Sequence, residues 1–354
     1  MRLEDLKGIV DIDGAYGSGG GQILRTSLAL SLLTRRPFRL TNIRLKRKNP
    51  GLSAQHLACV NVAQELSEAY VRGNEIGSKE VLFMPKKFSA KELKVDIGTA
   101  GSTVLVLQML MPCLIEVESF KAEITGGTDV ANAPSVDYLR YVLLPLLEKI
   151  GYKARVEVVR RGFYPKGGGV IVFEKLSGKL NENFEGFIER GKLQRIKGMA
   201  VASKGLEARK IADKIASFTL QWLKSTSLAY LEADIKKEYC EAFGDGAVLT
   251  LWLETEKSVL GTSVVGERQK PSEVVAREAV FELESEISGA IDKHAADQVL
   301  PFLAYFATKQ NRTLSLKTSS ISDHAKTNAF VIEKFLPVNF EIDEDKALIK
   351  VKPR

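Results

Sequence analysis

Residues 10–33 read VDIDGAYGSGGGQILRTSLALSLL, and residues 95–115 read VDIGTAGSTVLVLQMLMPCLI. Each is a short strand ending in Val-Asp-Ile, then a loop of small residues, then an apolar helix. Residues 121–150, KAEITGGTDVANAPSVDYLRYVLLPLLEKI, repeat the idea with Pro134 near the first helical turn, where its missing N–H costs nothing. Residues 314–336, LSLKTSSISDHAKTNAFVIEKFL, are a fourth version. Alternating β-branched segments such as RVEVVRR (155–161) and GGGVIVFEK (167–175) follow them. The pattern predicts an α+β fold of repeated units, small sheets backed by helices.

Between residues 187 and 280 the signature is absent. That stretch carries its own helix, EARKIADKIASFTLQWLKS, and two hairpin-like strands, AVLTLWLE and SVLGTSVVGE. It reads as a smaller α/β domain inserted into a large repeat domain made of residues 1–186 and 281–354. KPSEVVAREAVFELESEI, with Pro271 at its first turn, then starts a helix and returns the chain to the larger body.

The chain has 354 residues, enough for about two domains. Its 45% hydrophobic and 27% charged content is that of a globular protein rather than a disordered one. The start, MRLEDLKGIVDIDG, lacks the basic-then-apolar layout of a secretory signal, and the longest apolar stretch, VLVLQMLMPCLI, is too short to span a bilayer. A cytoplasmic protein without membrane contact is expected. Cys59, Cys113 and Cys240 lie far apart without zinc-site spacing and read as inert thiols. The net charge of +7 tilts toward polyanionic partners. It is concentrated in RRPFRLTNIRLKRK (35–48), seven cations without an acid, which is either a solvated face or, on alternating strand positions, a track for a phosphate backbone.

Glycine-rich turns that feed helices present free N–H groups and partial positive charge, so they suit anions. GSGGGQILRT ends in neither a P-loop Gly-Lys-Ser/Thr nor dinucleotide spacing, so any nucleotide is held another way. His324, in SSISDH, is either a surface or capping residue or a neutral nucleophile beside a helix N-terminus. His294 and Gln298 could cover a base and Asp297 could meet its amine; a plain helix cap with Asp297 in the first turn reads as well. His56 reads as a partly buried helical residue.

The stretches DGAYGSGGGQILRTSLALS, RKNPGLSAQHL, GTAGSTVLVLQ, GGTDVANAPSVDYL, RRGFYPKGGG, HAADQVLPF and SDHAKTNAFVIEKFLP resemble, in order, the signature segments of the RNA 3′-terminal phosphate cyclases. The resemblance implies βαβαββ-type units with a small inserted domain. It also implies an activity: with ATP and a divalent metal, Mg²⁺ or Mn²⁺, a histidine becomes adenylylated and pyrophosphate leaves. AMP then passes to the 3′-terminal phosphate of an RNA, and the adjacent 2′-OH closes a 2′,3′-cyclic phosphate. On this resemblance His324 is the adenylylated residue. Gln108, Pro134, His294, Ala295, Ala296, Asp297 and Gln298 fall at ATP-binding positions, with His294 where an aromatic ring often lies against adenine. Arg25, Arg44 and Arg47 fall at basic positions suited to the RNA phosphates. Many members have Glu where this chain has Ser18, a poor metal ligand, which leaves the metal ligands unassigned, with Asp13 as an alternative carboxylate. A dimer is compatible with the sequence. Two other classes share the pattern: non-catalytic cyclase-like proteins that bind ribosomal RNA precursors, and enolpyruvyl-transferase-type enzymes, which need no histidine nucleophile.

Overall fold

The computed structural model describes residues 8–354; the first seven residues of the large domain expected at 1–186 lie outside the described residues. The first sheet arises from β1 (Val10–Asp13), α1 (Gln22–Thr34), β2 (Phe38–Thr41), α2 (Ala54–Ser67), β3 (Tyr70–Arg72) and β4 (Val81–Met84). Its order is β1-β2-β4-β3, with β1 and β2 parallel and β4 antiparallel to both neighbours. A second unit repeats it: β5 (Leu93–Asp96), α3 (Thr103–Cys113), β6 (Phe120–Gly126), a helix built of α4 (Val136–Tyr138), a π turn and α5 (Leu144–Ile150), then β7 (Lys153–Arg160) and β8 (Gly169–Leu176). Its order, β5-β6-β8-β7, is the same.

The third unit opens with β9 (Gly186–Phe187), only two residues long, and the chain then leaves it. It traverses β10 (Leu193–Ser203), α6 (Ile211–Leu223), β11 (Glu232–Cys240), β12 (Ala247–Thr255), β13 (Val259–Val265) and α7 (Ser272–Glu286). It returns as α8 (Lys293–Gln310), β14 (Leu314–Lys317), α9 (Asp323–Phe335), β15 (Val338–Asp343) and β16 (Leu348–Pro353). Read from β9 the sheet runs β9-β14-β16-β15, the order of the first two. The architecture is therefore three βαβαββ units plus one intervening sheet, β11-β10-β12-β13.

The four glycine-loop signatures mark half-units, not four units. Those at 10–33 and 95–115 open the first two units; those at 121–150 and 314–336 are the second halves of units two and three. The third unit's opening half has no such signature because its strand is cut short where the chain departs. The intervening layer has its own apolar cluster, including Ile215 of α6, Leu249, Leu251 and Leu253 of β12, and Val280 and Leu283 of α7. The expected boundary between residues 280 and 281 falls in the middle of α7, whose two halves both pack into this cluster.

The strands follow their alternation: Val10 and Ile12 are buried while Asp11 and Asp13 face out. The basic run 35–48 is a strand only over Phe38–Thr41; from Asn42 it breaks into turns, with Asn42 and Arg44 at positive φ. The alternating-strand reading thus fails for Arg44 and Arg47. Arg39 is compensated by Asp11 at 2.7 Å. α1 lies among α2, α3 and α9, and every residue from Gln22 to Leu32 is buried. Its interior hydroxyls are satisfied locally, as when Ser27 donates to the Ile23 carbonyl at 2.7 Å.

The helix α4 is anchored by charge. Arg161, 3% exposed, reaches Asp129 at 3.2 Å and Asp137 at 2.7 Å, both fully buried. Burial pushes the Asp129 carboxyl up, and Arg161 pulls it back. Removing the cation leaves the buried Asp129 without a counter-charge and Asp137 with only Arg140, at 3.2 Å. Arg161→Met is expected to lose about 3–5 kcal/mol of stability, read as a lower urea midpoint; an unchanged midpoint would show that the pair is not held by this cation.

Candidate active site

His324 is the second residue of α9, whose cap is Ser322, accepting the Ala325 N–H at 3.1 Å. Its Nδ1 meets the Gln22 side-chain oxygen at the start of α1. The Gln22 amide nitrogen donates to Asp297 of α8 at 2.8 Å. One turn further along α1, Thr26 donates to Asn328 of α9 at 2.6 Å, and the Asn328 amide donates to the Asp297 carbonyl at 2.7 Å. Three helices from two units thus meet along a polar seam that ends in His324.

The electrostatics of the seam keep the imidazole neutral. Burial lowers the His324 pKa first, and Arg25, Arg47 and His294 lower it further against the opposing charge of Asp323. Arg25 lies one turn into α1, 9% exposed, and its Nε has no hydrogen-bond partner. No carboxylate bonds it directly, Asp297 acting only at range, and burial lowers its pKa. A guanidinium in this condition is a socket for an anion.

The loop between β1 and α1 lies over α9. Gly17, at φ +56°, leaves no room for a side chain: a Cβ there would stand 2.8 Å from the Thr327 hydroxyl. Tyr16 stacks on Phe330 of α9 with ring centroids 3.9 Å apart. Lys46 donates to the Gly17 carbonyl at 3.0 Å, and Arg47 lies within 3.3 Å of the position a Gly20 Cβ would take. Arg44 is half-buried and donates to the Gly51 carbonyl at 2.8 Å. Of the three arginines, Arg47 lies against the glycine loop, Arg25 follows it in α1, and Arg44 is tied to Gly51. His56 is buried in α2, capped by Ser53 at 2.7 Å. Burial, then Arg25 and Arg44, lower its pKa to about 3. It fills the space beside Gly21, where a Cβ would stand 1.9 Å from its ring.

Of the residues expected around a nucleotide, Gln108 of α3 and Gln298 of α8 line one small cavity of about 20 Å³ with Gln22, Arg25, Thr26 and Asn328. Gln298 donates to the His294 carbonyl at 2.9 Å, and its oxygen is buried without a partner. Ala295 and Ala296 are buried at the start of α8. The cap of α8 is Asp292, and Asp297 sits in the second turn, so the first-turn reading of Asp297 is corrected. Asp292 accepts from Tyr138 at 2.6 Å and from the Gly261 N–H at 3.0 Å, which ties α8 to the second unit and to β13. His294 hydrogen-bonds Glu282 at 3.0 Å. Burial alone would depress the His294 pKa, but Glu282 and Asp292 raise it; Glu282 itself, half-buried and bonded to His294 and Thr262, falls to about 2. Pro134 stands just before Ser135, the cap of α4, and not in the first turn. Its neighbours Ala131, Asn132 and Ala133 line a separate cleft of about 1440 Å³ facing the intervening layer.

Among the described residues no group of three or more His, Cys, Asp or Glu is placed to hold a metal ion. Asp13 accepts from the Ala15 N–H at 2.9 Å and from Asn42 at 3.0 Å, which lower its pKa. This donor set suits an ion that brings phosphate oxygens with it and takes at most one or two carboxylates from the protein. Gln22, Thr26 and Asn328 went unread as site residues, although 22, 25 and 26 fall on one face of an apolar helix, the spacing of a buried polar contact. No helix of the described residues is long and apolar enough to cross a membrane. All three cysteines are free, Cys59 and Cys113 buried and Cys240 half-buried.

The sequence pattern of the RNA 3′-terminal phosphate cyclases matches residues 16–342. The chain is 42% identical over 338 residues to the RNA 3′-terminal phosphate cyclase of Thermococcus kodakarensis, covering 94% of each. It is 40% identical to the protein of that name from Pyrococcus furiosus, over 94% of this chain and 95% of that one. With the one from Ignicoccus hospitalis the identity is 39%, over 93% of each. The chain belongs to the RNA 3′-terminal phosphate cyclase family.

In this cyclase-family member Asp297 carries a measurable cost. Burial pushes its carboxyl up to about 7, against the pull of Gln22, His294 and Arg25. The folded chain holds a proton there that the unfolded chain loses near pH 3.8. Stability from this group is therefore fully present below that pH and is lost as the pH rises through about 7. Asp297→Asn does not titrate, so its stability relative to the parent should rise between pH 5 and pH 8 by up to about 2.6 kcal/mol. Parallel curves of melting temperature against pH for parent and variant would refute this.

Proposed function

We propose that this chain is an ATP-dependent RNA 3′-terminal phosphate cyclase with His324 as the adenylylated residue, acting in the cytoplasm. The observation that carries the reading is a neutral imidazole at a helix N-terminus beside Arg25, a buried cation whose Nε has no partner. A neutral ring nitrogen attacks the α-phosphorus of ATP, its lone pair forming the N–P bond as pyrophosphate leaves with the electrons of the broken P–O bond. Gln108, Gln298 and the start of α8, from His294 through Ala295 and Ala296, support the nucleotide. His294 is protonated more readily than an ordinary histidine and contributes positive charge there.

An oxygen of the RNA 3′-phosphate then takes AMP from His324, and the neighbouring 2′-OH attacks the activated phosphorus, expelling AMP and closing the ring. Arg25 stabilises charge on the transferred phosphoryl group, while Arg44 and Arg47 hold the incoming RNA phosphate. The divalent ion, Mg²⁺ or Mn²⁺, neutralises phosphate charge when bound, with Asp13 the carboxylate available on the glycine-loop side. Ser18 is half-buried in that loop and supplies only a hydroxyl.

With ATP labelled at the α-phosphate, covalent label is expected on the parent and on His294→Ala, and is expected to fall by about 10³-fold or more on His324→Ala. Arg47→Ala should still accept label from ATP but raise the KM for a 3′-phosphorylated RNA roughly 10- to 100-fold. Absence of label with either metal, together with RNA binding, would sink the enzymatic reading in favour of a non-catalytic RNA-binding member of the family.

A further inference from the structure

The nucleophilic nitrogen is chosen by a residue that does not touch it. A neutral imidazole carries one proton on either of two nitrogens, and only the bare nitrogen has a lone pair for phosphorus. Gln22 stands between His324 and Asp297, with one amide face toward each. Above the pH near 7 at which Asp297 ionises, its carboxylate accepts and never donates, so it takes the Gln22 NH₂ at 2.8 Å and turns the Gln22 oxygen toward His324. That oxygen is acceptor-only, so the His324 Nδ1 facing it must carry the proton. We propose that Asp297, acting through Gln22, fixes His324 in the tautomer with its proton on Nδ1 and the Nε2 lone pair free.

The proposal rests on the reading of His324 as the nucleophile and makes Gln22 and Asp297 positioning residues. Asp297 is itself held in place, since Asn328 donates to its carbonyl at 2.7 Å and Thr26 orients Asn328 at 2.6 Å. The amide therefore meets a fixed carboxylate and has a single satisfied orientation. The arrangement also serves the step that follows. When Nε2 bonds to phosphorus and pyrophosphate leaves, the ring becomes cationic, and its Nδ1 proton is already held by the Gln22 oxygen. No proton has to move. One carboxylate oxygen of Asp297 is thereby committed to Gln22.

The chain has only three histidines, so nitrogen-15 labelling of histidine in the full-length protein gives an assignable spectrum. At pH 8.5 without ATP, the His324 resonances, assigned from His324→Asn, should show a protonated Nδ1 and a bare Nε2. Gln22→Leu and Asp297→Leu should each lose that preference and slow adenylylation roughly 10²- to 10⁴-fold, with the buried His56 resonances unmoved as the check on folding. A wild-type ring protonated on Nε2 overturns the proposal whatever the variants do. So does a Gln22→Leu protein with the same tautomer and rate as the parent. Failure of the underlying reading looks different: a ring protonated on Nδ1 in a protein that never takes label from ATP leaves the relay standing and removes only the nucleophile.

Discussion

The site depends on one constraint: α1 is buried along almost its whole length, yet it carries Gln22, Arg25 and Thr26 on one face. Buried polar groups must find partners, and whereas Ser27 uses the Ile23 carbonyl of the same helix, Gln22 and Thr26 reach outside it. The partners come from α8 and α9, as Asp297, His324 and Asn328. Burial of α1 therefore brings the first unit and the third into register at the place where His324 stands. The same contacts that satisfy α1 orient the His324 ring.

This arrangement costs stability where it serves function. Arg25 is buried without a direct anionic partner, and Asp297 holds a carboxyl that burial makes reluctant to ionise. Elsewhere the protein compensates its buried charge, as Arg161 does for Asp129 and Asp137. The difference between the two clusters is informative. Arg161 faces two carboxylates and has a fixed structural partner set, whereas Arg25 is left to be completed by something that arrives with negative charge. A helix N-terminus and two exposed or half-buried arginines in the overlying loop extend the same field outward.

Much of this was legible in the sequence, and the parts that were not have physical reasons. Strand alternation and the apolar helices declared the repeated units, because each sheet must bury one face and each glycine turn must lead into a helix. Half-units passed for whole ones because a glycine turn leads into a helix in either half, and the third unit's opening went unseen because β9 is only two residues long. The end of the intervening layer was misplaced because α7 packs into that layer along both halves, and an amphipathic pattern names no partner. His324 stood out as a histidine in a small-residue loop. Gln22 did not, since a glutamine at the start of an apolar helix looks like solvent-facing polarity until the fold places Asp297 and His324 on either side of it.

The glycine loop gains its meaning from the same geometry. Its residues carry little chemistry of their own, and a glycine-rich turn is most often a device for close approach. Here the approach has two sides. At Gly17 the loop comes within side-chain distance of Thr327 on α9, and at Gly21 the absence of a Cβ admits the buried ring of His56. His56 in turn adds no positive charge next to Arg25, because burial keeps it neutral far below physiological pH. A larger residue at either glycine would lift the loop from α9 or push α1 from α2. Lys46 and Arg47 of the neighbouring basic turn would then lose their contacts with the loop. The small residues are thus required by the closeness of these contacts, which is why they recur at the opening of α1 and not along the exposed turns of the basic run.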